Sequence, residues 1–215
     1  MFTYHHQNDF ENALEVLNMP NRQLDSTLFY PEQPKYILSL LDTTLKSNIP
    51  GDIVELGCYI GESSKLSTMM LLKHCSEKKL WVYDSFEGLP KPGEYELNWK
   101  EGSLQTNREV LEQNFIYNKL PLPNITKCRF NEIKNDELPE SISFAFLDGD
   151  FYQSIYDSLE KIYSRLSKGA IVTFHDYGRP DLPGVKKAVD DFFSIHKPDR
   201  IQFKICRELG VYLHV

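Results

Sequence analysis

Apolar residues recur along this chain in two rhythms, and their alternation predicts the architecture. The first 50 residues are helical and irregular. Phe10, Ala13, Leu14 and Leu17 fall at helical spacing and predict a helix over Asp9 to Leu17, which Met19-Pro20-Asn21 ends. A second helix is predicted from about Pro34 to Leu45, with Ile37, Leu38, Leu40 and Leu41 facing inward, before Asn48-Ile49-Pro50-Gly51 stops it.

From Asp52 onward, short apolar runs alternate with helical patterns. The predicted strands are Asp52 to Leu56, Leu80 to Tyr83, Ile125 to Cys128, Ile142 to Leu147, and Ala170 to Phe174 directly after Lys168-Gly169. Helices are predicted over Glu62 to His74, Asn107 to Tyr117, Ser154 to Leu166 and Val185 to Ile195. A last pair of strands, Ile201 to Cys206 and Val211 to Val215, is joined tightly through Leu209-Gly210. The expected fold is therefore α/β, a mostly parallel sheet with helices on both faces and one antiparallel strand at the end. Two segments are expected: a helical N-terminal extension over residues 1–50, serving as lid or dimer contact, and one α/β domain over 51–215.

Composition narrows the function classes. Hydrophobic residues make up 41% and charged residues 26%, which is ordinary for a globular domain. The formal charge of -7 disfavours phosphate backbones and anionic lipid, so no nucleic-acid or membrane partner is expected. The N-terminus lacks the basic start and apolar run of a signal peptide, and no apolar stretch approaches the roughly 20 residues that span a bilayer. Cys58, Cys75, Cys128 and Cys206 are far apart and form no Cys-x-x-Cys pair, so a reduced, cytoplasmic protein without structural zinc is expected. His5 and His6 suit a frayed terminus better than a metal site.

Ligands of open α/β sheets bind at the carboxyl ends of strands, so polar residues there carry the candidate chemistry. The first strand ends in Glu55-x-Gly57-x-x-x-Gly61, where glycine lets the backbone turn and approach a ligand; a plain strand-to-helix turn would read the same way. The second ends in Asp84, and an acid roughly 20 to 30 residues past a glycine loop suits ribose hydroxyls. The compact Gly-x-Gly-x-x-Gly spacing is missing, which argues for a ligand with a ribose and no diphosphate, and against a nicotinamide oxidoreductase. The fourth ends in Leu147-Asp148-Gly149-Asp150 and the fifth in Phe174-His175-Asp176-Tyr177. Two carboxylates and an imidazole suit a divalent metal or general-base work, unless the aspartates merely cap helices. Trp99 and Tyr95 suit a lid, and Phe29-Tyr30-Pro31 a substrate cover or dimer contact.

Several strings together resemble the macrocin O-methyltransferase (TylF-type) family. They are Gly51-Asp52-Ile53-Val54-Glu55-Leu56-Gly57, Trp81-Val82-Tyr83-Asp84-Ser85-Phe86-Glu87-Gly88-Leu89-Pro90, Leu147-Asp148-Gly149-Asp150-Phe151-Tyr152-Gln153-Ser154, Tyr163-Ser164-Arg165-Leu166 and Ala188-Val189-Asp190-Asp191-Phe192. The resemblance implies a Rossmann-like class I methyltransferase fold with a seven-stranded sheet. It implies S-adenosylmethionine as methyl donor, often with Mg2+ or another divalent metal, and a small-molecule acceptor, a sugar or glycosylated metabolite of natural-product biosynthesis. By position, Glu55, Gly57, Cys58, Tyr59, Gly61 and Ser63 would line the cofactor's amino-acid end, and Asp84, Ser85 and Phe86 the ribose. Arg129 and Phe130, within Cys128 to Asn131, would lie near the adenine. Asp148 would touch the cofactor too.

Asp148, His175 and Asp176 would hold the metal, with Asp148 or His175 as catalytic base. The family commonly has two successive aspartates where His175-Asp176 stands. An imidazole suits magnesium poorly, and with an ordinary pKa of about 6.5 it suits proton transfer without a metal as well. A non-catalytic or hydroxylase-like cofactor-binding relative is the alternative from another class, and a homodimer is compatible with the N-terminal segment.

Overall fold

The computed structural model describes residues 10–19, 32–96, 98–196, 202–206 (backbone) and 208–214. Seven strands form one sheet: β1 (Asp52–Leu56), β2 (Leu80–Asp84), β3 (Asn124–Lys127), β4 (Ile142–Leu147), β5 (Leu166–Phe174), β6 (Gln202–Cys206) and β7 (Leu209–Leu213). The helices are α1 (Glu11–Leu17), α2 (Gln33–Lys46), α3 (Glu62–Lys73), α4 (Arg108–Tyr117), α5 (Tyr152–Ile162) and α6 (Pro183–His196). The order across the sheet is β3-β2-β1-β4-β5-β7-β6, with β7 antiparallel to its neighbours on both sides. The chain builds outward from β1 through β2 to β3, then returns to lay β4 on the other side of β1. That reversal opens a crevice above the carboxyl ends of β1 and β4.

Strand composition follows position. All six residues of central β4 are buried, as a strand covered on both faces requires, whereas edge strand β3 (Asn-Ile-Thr-Lys) has none buried. The two-residue period sorts side chains into two cores. Val54, Leu56, Tyr83, Ala145 and Leu147 pack with α5 and α6; Ile53, Val82, Phe144 and Phe146 pack with α2 and α3. On α5 the buried positions Ile155, Ser158, Leu159 and Ile162 follow helical spacing and form one inward stripe. Asn107 starts α4, its Oδ1 accepting the Val110 N–H at 2.9 Å.

Two expectations shift. Strand β5 begins at Leu166, not after Gly169, and α5 ends at Ile162 before a 3-10 turn over Tyr163–Arg165. Ile142 pairs with Leu166 and Phe144 with Ile171, so β5 carries a bulge in which Gly169 takes φ +86°. The glycine marks an irregularity inside a strand rather than the turn before one. The N-terminal helices are also built into the domain: Ala13, Val16, Ile37, Leu38, Leu40 and Leu41 share the core of α3 and the sheet. Ile201, Val215, His5, His6 and Phe29-Tyr30-Pro31 lie outside the described residues.

The tightest approach in the sheet is at Gly57, with φ +91°, where an added Cβ would sit 2.0 Å from the Asp148 carbonyl oxygen. Gly102 shares a positive φ of +78°, but a Cβ there would meet nothing within 4 Å. Gly102→Ala is expected to cost about 1 kcal/mol from conformation alone, and Gly57→Ala about 3 kcal/mol or more. Urea unfolding of the two variants measures the difference; equal costs would mean the β1–β4 approach is not tight.

Candidate active site

The loops after β1 and β2 are locked together by one carboxylate. Asp84 Oδ2 accepts the N–H groups of Cys58 (2.9 Å) and Tyr59 (3.0 Å), while Oδ1 accepts that of Phe86 (2.7 Å). An ionised carboxylate offers about four acceptor positions, so roughly one is left for a ligand. Tyr59 (φ +50°), Phe86 (φ +55°), Asp150 (φ +58°) and Asp176 (φ +56°) all hold left-handed backbone at strand ends. Non-glycine residues avoid that region at a cost on the order of 1–3 kcal/mol each, and its clustering here marks loops held by their surroundings.

Beneath the first loop lies Glu55, buried on β1. Ser63 and Ser64, from the first turn of α3, donate their hydroxyls to its two oxygens. Burial pushes its pKa up to about 8, the serine hydrogen bonds pull it down, and the charges of Asp148 and Asp84 add to the rise. Glu55 therefore holds its proton over most of the acid range and acts as a neutral acceptor for the helix start.

At the ends of β4 and β5 the acidic residues converge. His175 Nδ1 lies 2.9 Å from Asp148 Oδ1 and 3.1 Å from Asp176 Oδ2, and its Nε2 lies 3.1 Å from Gln33 Oε1. One ligand atom from each of Asp148, His175 and Asp176 falls within 4.8 Å of the others. Burial opposes a charged His175, but Asp148 and Asp176 outweigh it and raise its proton affinity well above the ordinary histidine value. Asp176 is buried, yet His175 and Arg179, whose Nη1 is 3.5 Å away, keep its pKa below the usual range. Asp150 goes the other way: burial and the neighbouring charges of Asp148 and Asp176 raise its pKa well above the usual carboxylate value.

A long segment between β2 and α4 forms the near wall. Buried Glu96 pins it, accepting the Gly93 N–H (3.0 Å) and the Tyr152 N–H at the start of α5 (2.9 Å). Trp99 sits 5.7 Å from the Arg179 guanidinium, and Tyr95 packs on Tyr152 with ring centroids 5.4 Å apart. Together these elements enclose a cleft of about 650 Å³, lined from the carboxyl ends of β1 to β5. A cleft of that size suits a nucleoside-sized ligand with part of a second molecule.

Comparison with known proteins decides the lineage. Residues 23–213 match the macrocin O-methyltransferase (TylF) family. The chain belongs to that family. It is 30% identical over 201 residues to the demethyldecarbamoylnovobiocin O-methyltransferase of Streptomyces niveus, covering 82% of this chain and 70% of that protein. It is 33% identical over 165 residues to an O-methyltransferase of Streptomyces olivaceus acting on a rhamnosyl-tetracenomycin, covering 71% of this chain and 61% of that protein. The solved structure of the O-methyltransferase NovP superposes with a TM-score of 0.76 at 25% identity, covering 84% of this chain and 78% of NovP. Membership makes this TylF-family chain an O-methyltransferase by class.

In this methyltransferase, Gly57, Cys58, Tyr59, Asp84, Ser85, Arg129, Phe130, Asp148, His175 and Asp176 all line the cleft. Glu55, Gly61, Ser63 and Phe86, expected at the cofactor, do not. Glu55 and Ser63 spend their polar atoms on each other; Gly61 faces Leu111, which an added Cβ would meet at 3.0 Å; Phe86 packs in the core with α3 and α4. Arg129 lines the cleft while its guanidinium is tied to the Gly88 carbonyl (2.9 Å). Expected lid residues Tyr95 and Trp99 do face the cleft. Sequence reasoning left three contributors out. Asp150 stood in the quoted Asp148-Gly149-Asp150 string, so a signal existed; Glu96 and Gln33 carried none.

The raised Glu55 pKa sets a sign. A carboxyl whose folded pKa lies above its unfolded value of 4.5 stabilises the fold fully below that value, and the contribution fades as pH rises through about 8. Glu55→Gln mimics the protonated form, so its stability relative to wild type is expected to improve by about 2–5 kcal/mol between pH 5 and pH 9. Paired denaturant melts at both pH values measure it. A constant offset would contradict the buried, protonated Glu55.

Proposed function

We propose that this chain transfers the methyl group of S-adenosylmethionine to a hydroxyl of a sugar or glycosylated small molecule. The observation that carries the reading is one cleft with two chemically distinct walls. The Asp84-tied loops and the Cys128-to-Asn131 segment suit an adenosine, and the acidic cluster faces the space beyond it. The relatives support the acceptor class: their names describe O-methylation of novobiocin, tetracenomycin rhamnoside and mycinamicin precursors.

Methyl transfer forms a C–O bond and breaks the C–S bond. The sulfonium takes the electron pair and leaves as S-adenosylhomocysteine, while the hydroxyl proton needs an acceptor. Alignment of oxygen, methyl and sulfur supplies much of the rate, and the fixed loops serve that end. The donor set of Asp148, His175 and Asp176 fits a divalent cation: one ligand atom from each lies within 4.8 Å of the others, and both Asp176 oxygens are buried. Bound there, a cation would add Lewis acidity toward the hydroxyl.

Of the expected bases, His175 is poorly suited as found, since Asp148 and Asp176 hold its proton firmly. Asp150 lines the same cleft two residues after Asp148, and its carboxylate is the group we assign to take the proton of the attacking hydroxyl.

Calorimetry with S-adenosylmethionine and S-adenosylhomocysteine tests the donor, and radiolabelled methyl transfer to rhamnosylated polyketides and TDP-rhamnose tests the acceptor class. Asp150→Asn is expected to lower kcat by about 100-fold or more, with S-adenosylhomocysteine affinity within about threefold of wild type. Absence of binding by both cofactor forms would defeat the reading. Binding without transfer to any sugar acceptor would favour a non-catalytic relative, and full activity in Asp150→Asn would remove that residue as base.

A further inference from the structure

Gln33 is the first residue of α2, fully buried, and 142 positions away in sequence from the ring it touches. Its Oε1, an acceptor only, lies 3.1 Å from His175 Nε2, so Nε2 must carry the hydrogen of that bond. In the neutral ring the lone pair is then on Nδ1, the atom that faces Asp148 Oδ1 at 2.9 Å and Asp176 Oδ2 at 3.1 Å. A proton on Nδ1 joins it to these two oxygens in the ion pairs described above, and a dication bound among the three ligand atoms would take that proton's place. Octahedral ligands about 2.1 Å from a dication are about 3 Å apart at right angles, close to the two separations from Nδ1. Asp176 adds a second indication: it is 1% exposed, and its oxygens meet His175 Nδ1 (3.1 Å) and Arg179 Nη1 (3.5 Å) as ion pairs without well-aligned hydrogen bonds among the described residues.

We infer that this site selects a borderline transition-metal dication, such as Mn2+ or Zn2+, over Mg2+, and that Gln33 is the positioning residue that sets this choice by presenting His175 Nδ1 to the metal. The inference rests on the metal-assisted form of the proposed function. Its basis is donor chemistry: Mg2+ is hard and takes oxygen, whereas imidazole nitrogen suits manganese, iron, cobalt and zinc. Outer partners that fix a histidine tautomer are worth about 10–100-fold in metal affinity. Gln33 also ties the choice of metal to α2, which among the described residues contributes none to the cleft lining.

The test uses full-length protein stripped by chelation, then titrated calorimetrically with MnCl2, ZnCl2 and MgCl2, with and without S-adenosylhomocysteine. Mn2+ and Zn2+ are expected to bind at least about tenfold more tightly than Mg2+, and the Mn2+ form to show nitrogen-14 modulation in pulsed EPR. His175→Asp should lose that modulation and narrow the Mn2+/Mg2+ ratio. Gln33→Met should weaken Mn2+ by about 10–100-fold with an unchanged thermal melt. It should add little in a His175→Asp background, because it acts through the ring; Gln33→Glu, which keeps an accepting oxygen, should retain the preference. Equal Mg2+ and Mn2+ affinities, no dication bound in either arm, or modulation surviving His175→Asp would each overturn the inference. The S-adenosylhomocysteine titration reports on the methyltransferase reading separately.

Discussion

The interaction on which the rest of the site depends is the Asp84 carboxylate, which collects three backbone N–H groups from two neighbouring strand ends. Parallel strands leave their last amides without partners, and an unpaired buried amide costs on the order of 1–3 kcal/mol. Asp84 satisfies the amides of Cys58, Tyr59 and Phe86 at once, and it holds Tyr59 and Phe86 in backbone conformations they would otherwise avoid. Gly57 performs the matching task on the other side of β1, letting that strand end close on the Asp148 carbonyl. With both in place, the five strand ends that line the cleft become one rigid rim.

On this rim the electrostatics divide sharply. Glu55, below the loop, is driven toward its neutral form by burial and by two neighbouring acids, so it contributes hydrogen bonding without charge. Asp148 and Asp176 both pair with His175 Nδ1, with Arg179 steadying Asp176 from the outside. Asp150, next to them, bears the repulsion and gains proton affinity. Four carboxyl groups near one rim thus take different roles through environment alone, the arrangement that acid–base and metal chemistry need.

Much of this was legible in the chain because the signals were local. Continuous apolar runs announced β4 and most of β5, and a tight return announced the antiparallel strand, although Leu209 and Gly210, expected as the connection, are the first residues of β7. Residues placed at the very ends of strands (Gly57, Asp84, Asp148, His175, Asp176) reached the cleft, since strand geometry fixes where such positions point. The expected residues that stand off the cleft lining do so for physical reasons. Glu55 and Ser63 carry the right chemistry, but their hydrogen bonds to each other turn both inward, and Gly61 serves helix packing against Leu111. Gln33 and Glu96 reach the site through partners 142 and 56 positions away in sequence, which no periodicity encodes. Gly169 misled for a third reason: a glycine inside a bulged strand and one before a strand look alike in sequence.

The central claim is that the Asp84-tied rim and the acidic cluster form two walls of a single reaction cleft. A crystal structure of the chain with S-adenosylhomocysteine bound measures this most directly. The account predicts an adenosine between Asp84, Ser85 and the Cys128-to-Asn131 segment, with the sulfur directed toward Asp148 and Asp150. Ligand density outside this cleft, or a sulfur facing away from the cluster, would contradict it.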